Sequence, residues 1–274
     1  MDDLEFYRTQ SPVTDPGRPL DLPADPGTLA KVVGGVLVHR DWAATFGVDL
    51  PEHRRDEADI RFVAAMLERL GSLDERPPSA RLAVTCRDFV VLLVALLRAC
   101  GIPARARAGF AGYFVDGFND DHWVAEVWQD GRGWYLLDAQ VAGGPPGIYD
   151  TGDLDPLDVP RDGFLVGGQA WQECRTGRRD PATVGVRSAG LSGLWEAQGN
   201  VVRDLAALAG AEVLPWDSWG IIPAHYDELP EPDRALLDRV ATVSTAGGPL
   251  RAAREALGWD PRLAVPPELT RRPA

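Results

Sequence analysis

Three residues in this 274-residue chain have the types and the order that a thiol nucleophile needs: Cys86, His122 and Asp138. A thiolate attacks a carbonyl carbon, an imidazole takes and returns the proton, and a carboxylate orients the imidazole and steadies its charged form. The chemistry is acyl transfer through a thioester. It ends in hydrolysis when water takes the acyl group and in a new amide when an amine does. A lone cysteine in an apolar helix is more often an inert core thiol, so Cys86 draws its weight from the other two.

Each of the three needs a particular setting. Cys86 lies in Val-Thr-Cys-Arg-Asp-Phe-Val-Val-Leu-Leu, where Phe89, Leu92, Leu93, Leu96 and Leu97 recur at three- and four-residue steps. That periodicity predicts a buried helix opening at or near the cysteine, with Thr85 as N-cap and Gly101 followed by Pro103 as the stop. A sulfur in the first turn meets unpaired N–H groups and the positive end of the helix dipole, which favour thiolate. The Cys86 N–H would also hold part of the oxyanion that forms on attack. His122 opens His-Trp-Val-Ala-Glu-Val-Trp and Asp138 closes Gly-Trp-Tyr-Leu-Leu-Asp, two β-prone runs around Gln-Asp-Gly-Arg-Gly that read as a hairpin. Their side chains share a face only if the loop is odd, such as Asp130 to Arg132, because paired positions then sum to an even number. Asp130-Gly131 alone would suggest a two-residue turn and opposite faces. The triad therefore predicts a loop of three or five residues, or a bulge.

In these motifs and their order, the stretch from about Ala80 to Gln140 resembles the transglutaminase-like superfamily, in its bacterial form. The resemblance is carried by Cys86-Arg87-Asp88-Phe89, by Leu96 to Arg105 leaving the helix, by His122 to Val127 and by Trp134 to Asp138. It implies an α+β, papain-like core in which the cysteine helix packs on a small antiparallel sheet carrying the histidine and aspartate. It also implies catalytic roles for Cys86, His122 and Asp138. One departure is His122-Trp123 where many relatives have His-Ala-Trp, a change expected to reshape the acyl pocket. Substrate identity does not carry over.

The other candidates weigh less. Trp123, Trp128 and Asp121 flank the site and are the candidate substrate contacts, although aromatic strand residues are usually core. Cys100 and Cys174 read as packed thiols. On one helix Cys86 and Cys100 would stand about 21 Å apart, too far for a disulfide. His39, His53 and His225 read as surface or capped histidines. There is no HExxH or paired-cysteine motif, and the acidic run from Asp153 lacks the glycine and terminal glutamate of an EF-hand, so neither metal nor cofactor is expected.

Composition narrows the partners. Apolar residues make up 45% and charged residues 25%, as in ordinary globular chains. A net charge of −13 argues against nucleic acid and anionic membrane. The expected partner is a small-molecule or peptide amide with an amine acceptor, and the sequence leaves the oligomeric state open. Without a signal-like or membrane-length apolar run, the expected location is cytoplasmic. A single lysine, Lys31, among many arginines fits a GC-rich coding genome.

Along the chain, prolines from Pro12 to Pro26 predict an extended surface arm over 1–25. The core is expected over 26–145, and a loop-rich, helical extension packed on it over 146–274. Helices are expected over Pro26 to Phe46, Asp56 to Leu70, Gly167 to Arg175, Gly193 to Ala209, Asp227 to Ser244 and Pro249 to Leu257. A half-buried strand is expected over Ala104 to Phe114, with Arg105 and Arg107 on its polar side. An alternative to catalysis is a binding module that keeps the fold without using the thiol.

Overall fold

The computed structural model describes residues 2–222 and 229–272. In chain order these form α1 (Asp3–Arg8), α2 (Pro26–Val36), β1 (Leu37–His39), α3 (Val63–Leu70), β2 (Leu82–Val84) and α4 (Cys86–Ala99). Next come β3 (Ala104–Val115), β4 (Phe118–Gln129), β5 (Gly133–Leu137), α5 (Ala139–Gly143), β6 (Phe164–Val166) and α6 (Gly167–Arg175). The chain closes with β7 (Val184–Val186), β8 (Leu191–Ser192), α7 (Leu194–Leu208), α8 (Glu231–Ala246) and α9 (Leu250–Leu257). The class is α+β, as expected.

These elements fall into two compact units whose borders differ from the expected boundary near 145. One holds residues 2–106, 124–159 and 272; the other holds 107–123, 160–222 and 229–271. Strands β3 and β4 each run from one unit into the other.

In the first unit the centre is α4, every residue of which is buried from Cys86 to Arg98. Its apolar stripe is wide enough to take helices on several sides, and α1, α2, α3 and α5 all pack against it. Helices α2 and α5 approach closely because Gly34 and Gly143 face one another, and a Cβ on Gly34 would overlap the Gly143 carbonyl. The strands β1 and β2 run parallel, with His39 beside Val84. Strand β5 pairs with β4 from Gln129↔Gly133 to Ala125↔Leu137, which leaves Asp130 to Arg132 as a three-residue loop. The odd loop that the triad requires is present.

In the second unit the strand order is β6-β3-β4-β7-β8. The sheet is not purely antiparallel, since β4 pairs parallel with β7 through Asn119↔Val184 and Asp120↔Gly185. Helices α6, α7, α8 and α9 enclose a core that includes Trp171, Val201, Leu205, Leu237 and Ala253.

Several expectations need correction. The N-terminal arm is not featureless: α1 forms before the prolines begin, and Tyr7, Val13 and Thr14 are buried. The helix expected over Pro26 to Phe46 stops at Val36, because Leu37 and Val38 find backbone partners on β2. The helix expected over Asp56 to Leu70 is split into a 3-10 stretch over Glu52–Asp59 and α3, with Phe62 extended between them. The first eight residues of β3 are all buried rather than half-buried. Its arginines are internal ion pairs: Arg105 meets Glu126 at 2.7 Å and Arg107 meets Asp204 at 2.9 Å. The helix expected from Asp227 begins at Glu231 among the described residues, while its first two residues, like His225, lie outside them.

Candidate active site

Cys86 is the first residue of α4 and is buried at 6% exposure. The turn that presents it is fixed from the next residues. Asp88 Oδ2 accepts from the Thr85 N–H at 2.9 Å and from the Thr85 hydroxyl at 3.0 Å, and Asp88 Oδ1 accepts from Arg87 Nη1 at 2.9 Å. Burial raises the Asp88 pKa, and Arg87 together with the bonds from Thr85 pulls the other way. This reciprocal cap joins the N-cap to the third residue of the helix, so the sulfur sits at the start of a well-defined helix where N–H groups lack intrahelical acceptors.

Asp138 follows β5 with extended backbone, φ −88° and ψ 102°, and is the N-cap of α5. It is fully buried. Its Oδ1 accepts from Gln140 N–H at 2.9 Å and from Val141 N–H at 3.0 Å, and its own N–H donates to Pro156 O at 2.8 Å. Two backbone donors on one oxygen lock the carboxylate's rotamer. The hairpin register that leads into it pairs residues whose numbers sum to an even value, from Gln129↔Gly133 to Ala125↔Leu137.

His122 lies on β4 and is buried at 2% exposure. Aromatic rings meet its imidazole edge-on: Phe114 at 5.0 Å, Tyr113 at 6.2 Å and Phe164 at 6.5 Å between centroids. The strand around it is pinned through both of the preceding aspartates. Asp121 Oδ1 accepts from Asn200 Nδ2 at 2.6 Å, that amide also donates to Gly109 O at 3.1 Å, and Asp120 Oδ1 accepts from Arg187 N–H at 2.9 Å. Burial pushes both Asp120 and Asp121 above the ordinary carboxylate range. Nearby Glu196 is pushed up to about 8 by burial and by the Asp121 charge, against the pull of Arg203.

The three candidate substrate contacts have structural occupations. Asp121 holds Asn200. Trp123 is fully buried, with an indole N–H that has no partner. Trp128 donates to Asp130 at 2.9 Å and meets Trp134 at 5.5 Å, so it belongs to the hairpin end. Two further residues sit beside Asp138 that the sequence did not single out, Gln140 and Tyr149. Gln140 was legible only as the second residue after the aspartate. Tyr149 lies in a Gly- and Pro-rich stretch without periodicity and gave no signal. Among the described residues no group of three or more His, Cys, Asp or Glu is placed to hold a metal ion.

Residues 79–139 match the model of the transglutaminase-like superfamily, the same stretch that carried the resemblance in the sequence. Among solved structures, that of a "putative cysteine protease" from Cytophaga hutchinsonii is similar at 17% identity and a TM-score of 0.33, over 60% of this chain and 45% of that one. The chain thus spans under half the length of that relative. No curated protein matches the chain.

Proposed function

We propose, for a chain whose residues 79–139 are transglutaminase-like, that it transfers acyl groups through a thioester on Cys86, acting on a small amide or peptide. In this reading His122 takes the Cys86 proton and the thiolate adds to the amide carbonyl. The Cys86 N–H holds part of the resulting oxyanion, a contribution of about 3 kcal/mol per donor at such sites. His122 then protonates the leaving nitrogen as the C–N bond breaks and the thioester forms. Asp138 orients the imidazole and balances its positive charge. Water or an amine, deprotonated by His122, finally attacks the thioester and releases Cys86.

The observation that carries this reading is the hairpin register. A three-residue loop gives His122 and Asp138 the same parity against the local Asp-Gly signal, and Cys86 opens α4 as an activated sulfur must. Substituting Cys86 by Ser tests it. The variant should form no acyl-enzyme with amide substrates that acylate the wild type, and an undiminished turnover would remove the reading.

A further inference from the structure

The segment that follows α5 is rich in glycine and proline, yet it delivers a buried tyrosine. Tyr149 is 4% exposed, and its ring stands edge-on to Trp42 at 5.1 Å and to Phe46 at 6.0 Å. Gly144 packs against the same ring, where a Cβ would stand 3.0 Å from it. A buried phenol must place its hydroxyl against a polar partner, and here that partner is the Gln140 carboxamide. Gln140 is itself 3% exposed, and its Oε1 has no partner. Its backbone N–H is one of the two donors on Asp138 Oδ1. A continuous path therefore runs from the Trp42 and Phe46 rings, through the phenol and the carboxamide, to the turn that clamps the Asp138 carboxylate.

We infer that Tyr149 is a positioning residue for Asp138: its hydroxyl fixes Gln140, and Gln140 fixes the first turn of α5, which sets the direction of the carboxylate. This rests on the proposed catalytic role of Asp138. The phenol is suited to the task because burial, with the Asp138 charge adding to it, keeps it protonated above the ordinary tyrosine range. Its oxygen accepts from the Gln140 amide N–H, since the Gln140 Oε1 has no partner. The path also accounts for a tyrosine that neither sheet nor helix requires.

The test uses the full chain and reads thiol activation rather than turnover. The rate of Cys86 alkylation by iodoacetamide is measured from pH 5 to 9 in wild type, Tyr149→Phe, Gln140→Ala, the double variant and Asp138→Ala. Tyr149→Phe keeps the ring in its aromatic seat and removes the hydroxyl alone. It should slow alkylation near neutral pH by about 3- to 10-fold and move the midpoint of the rate profile, the effect of one lost hydrogen bond on an oriented group. Gln140→Ala should do the same, and the double variant should be no worse than either single one. Wild-type rate and midpoint in Tyr149→Phe and Gln140→Ala, alongside an altered Asp138→Ala, would overturn the inference and spare the triad. An unaltered Asp138→Ala would overturn both.

Discussion

Cys86, His122 and Asp138 are each buried, and burial is what makes their side-chain directions consequential. A thiolate, an imidazolium and a carboxylate hidden from water are stable only when they answer one another. The proposed triad therefore predicts that His122→Ala slows alkylation of Cys86 near pH 7 by at least about 10-fold, since the base that shares the thiol proton is gone. A binding module with an ordinary thiol would react slowly in both forms. Glu196 offers a second prediction, on stability. Its carboxyl titrates near 4.5 when unfolded and near 8 in the fold, where burial favours the neutral form. Between those values the folded state carries the extra proton, so folding is increasingly penalised as the pH rises from about 4.5 to 8, and the penalty is constant above. Replacing Glu196 by Gln should remove that slope, by up to a few kcal/mol at pH 8. Denaturation midpoints of the two proteins at pH 5 and pH 8.5 check this, and parallel curves would refute it.

Among the elements, α4 and α5 set the direction of two of the three groups, and each has a point of failure. Gly34 lets α2 lie against α5 at Gly143. Gly34→Ala should push the helices apart, lower stability by about 1–3 kcal/mol and depress activity through the displaced cap at Asp138, as seen by comparing melting with turnover. On β3 and β4, Arg105 is bonded to Glu126 and lies 4.3 Å from the Trp134 ring and 5.1 Å from the Tyr7 ring. Glu126→Ala strands that guanidinium and should cost about 3–5 kcal/mol, whereas Arg105→Met with Glu126→Leu should recover most of it. Both elements also show what a sequence can tell. The nucleophile helix is legible within a residue or two at its ends, because a strong apolar period runs between clear end signals at Thr85 and Gly101. The loop parity was legible only through the chemistry, since Asp130-Gly131 by itself points to the other turn. The polar side expected for Arg105 and Arg107 was misread because their acidic partners lie 21 and 97 residues away. The strands β1, β6, β7 and β8 span two or three residues each and are too short for any period to register.

For the molecule as a whole, no helix among the described residues is long and apolar enough to cross a membrane. The net charge of −13 supplies a field that favours cationic partners over phosphate-rich ones. The acidic loop is a local part of that field, although Asp158 is already paired with Arg132. Neutralising Asp153, Asp155 and Asp158 together should weaken the KM for a cationic amine acceptor more than for a neutral one, with a difference that fades at high salt. Equal effects on both acceptors would assign the loop no part in selection. The central claim is that Cys86 carries the acyl group, and intact-mass measurement after rapid acid quench, with a panel of small amides and peptides, tests it most directly. The account predicts an adduct equal to the acyl group, located on Cys86, lost on addition of an amine or on standing in water, and absent from Cys86→Ser and His122→Ala. An adduct that forms equally in those two variants, or that resides on Cys100 or Cys174, would contradict it.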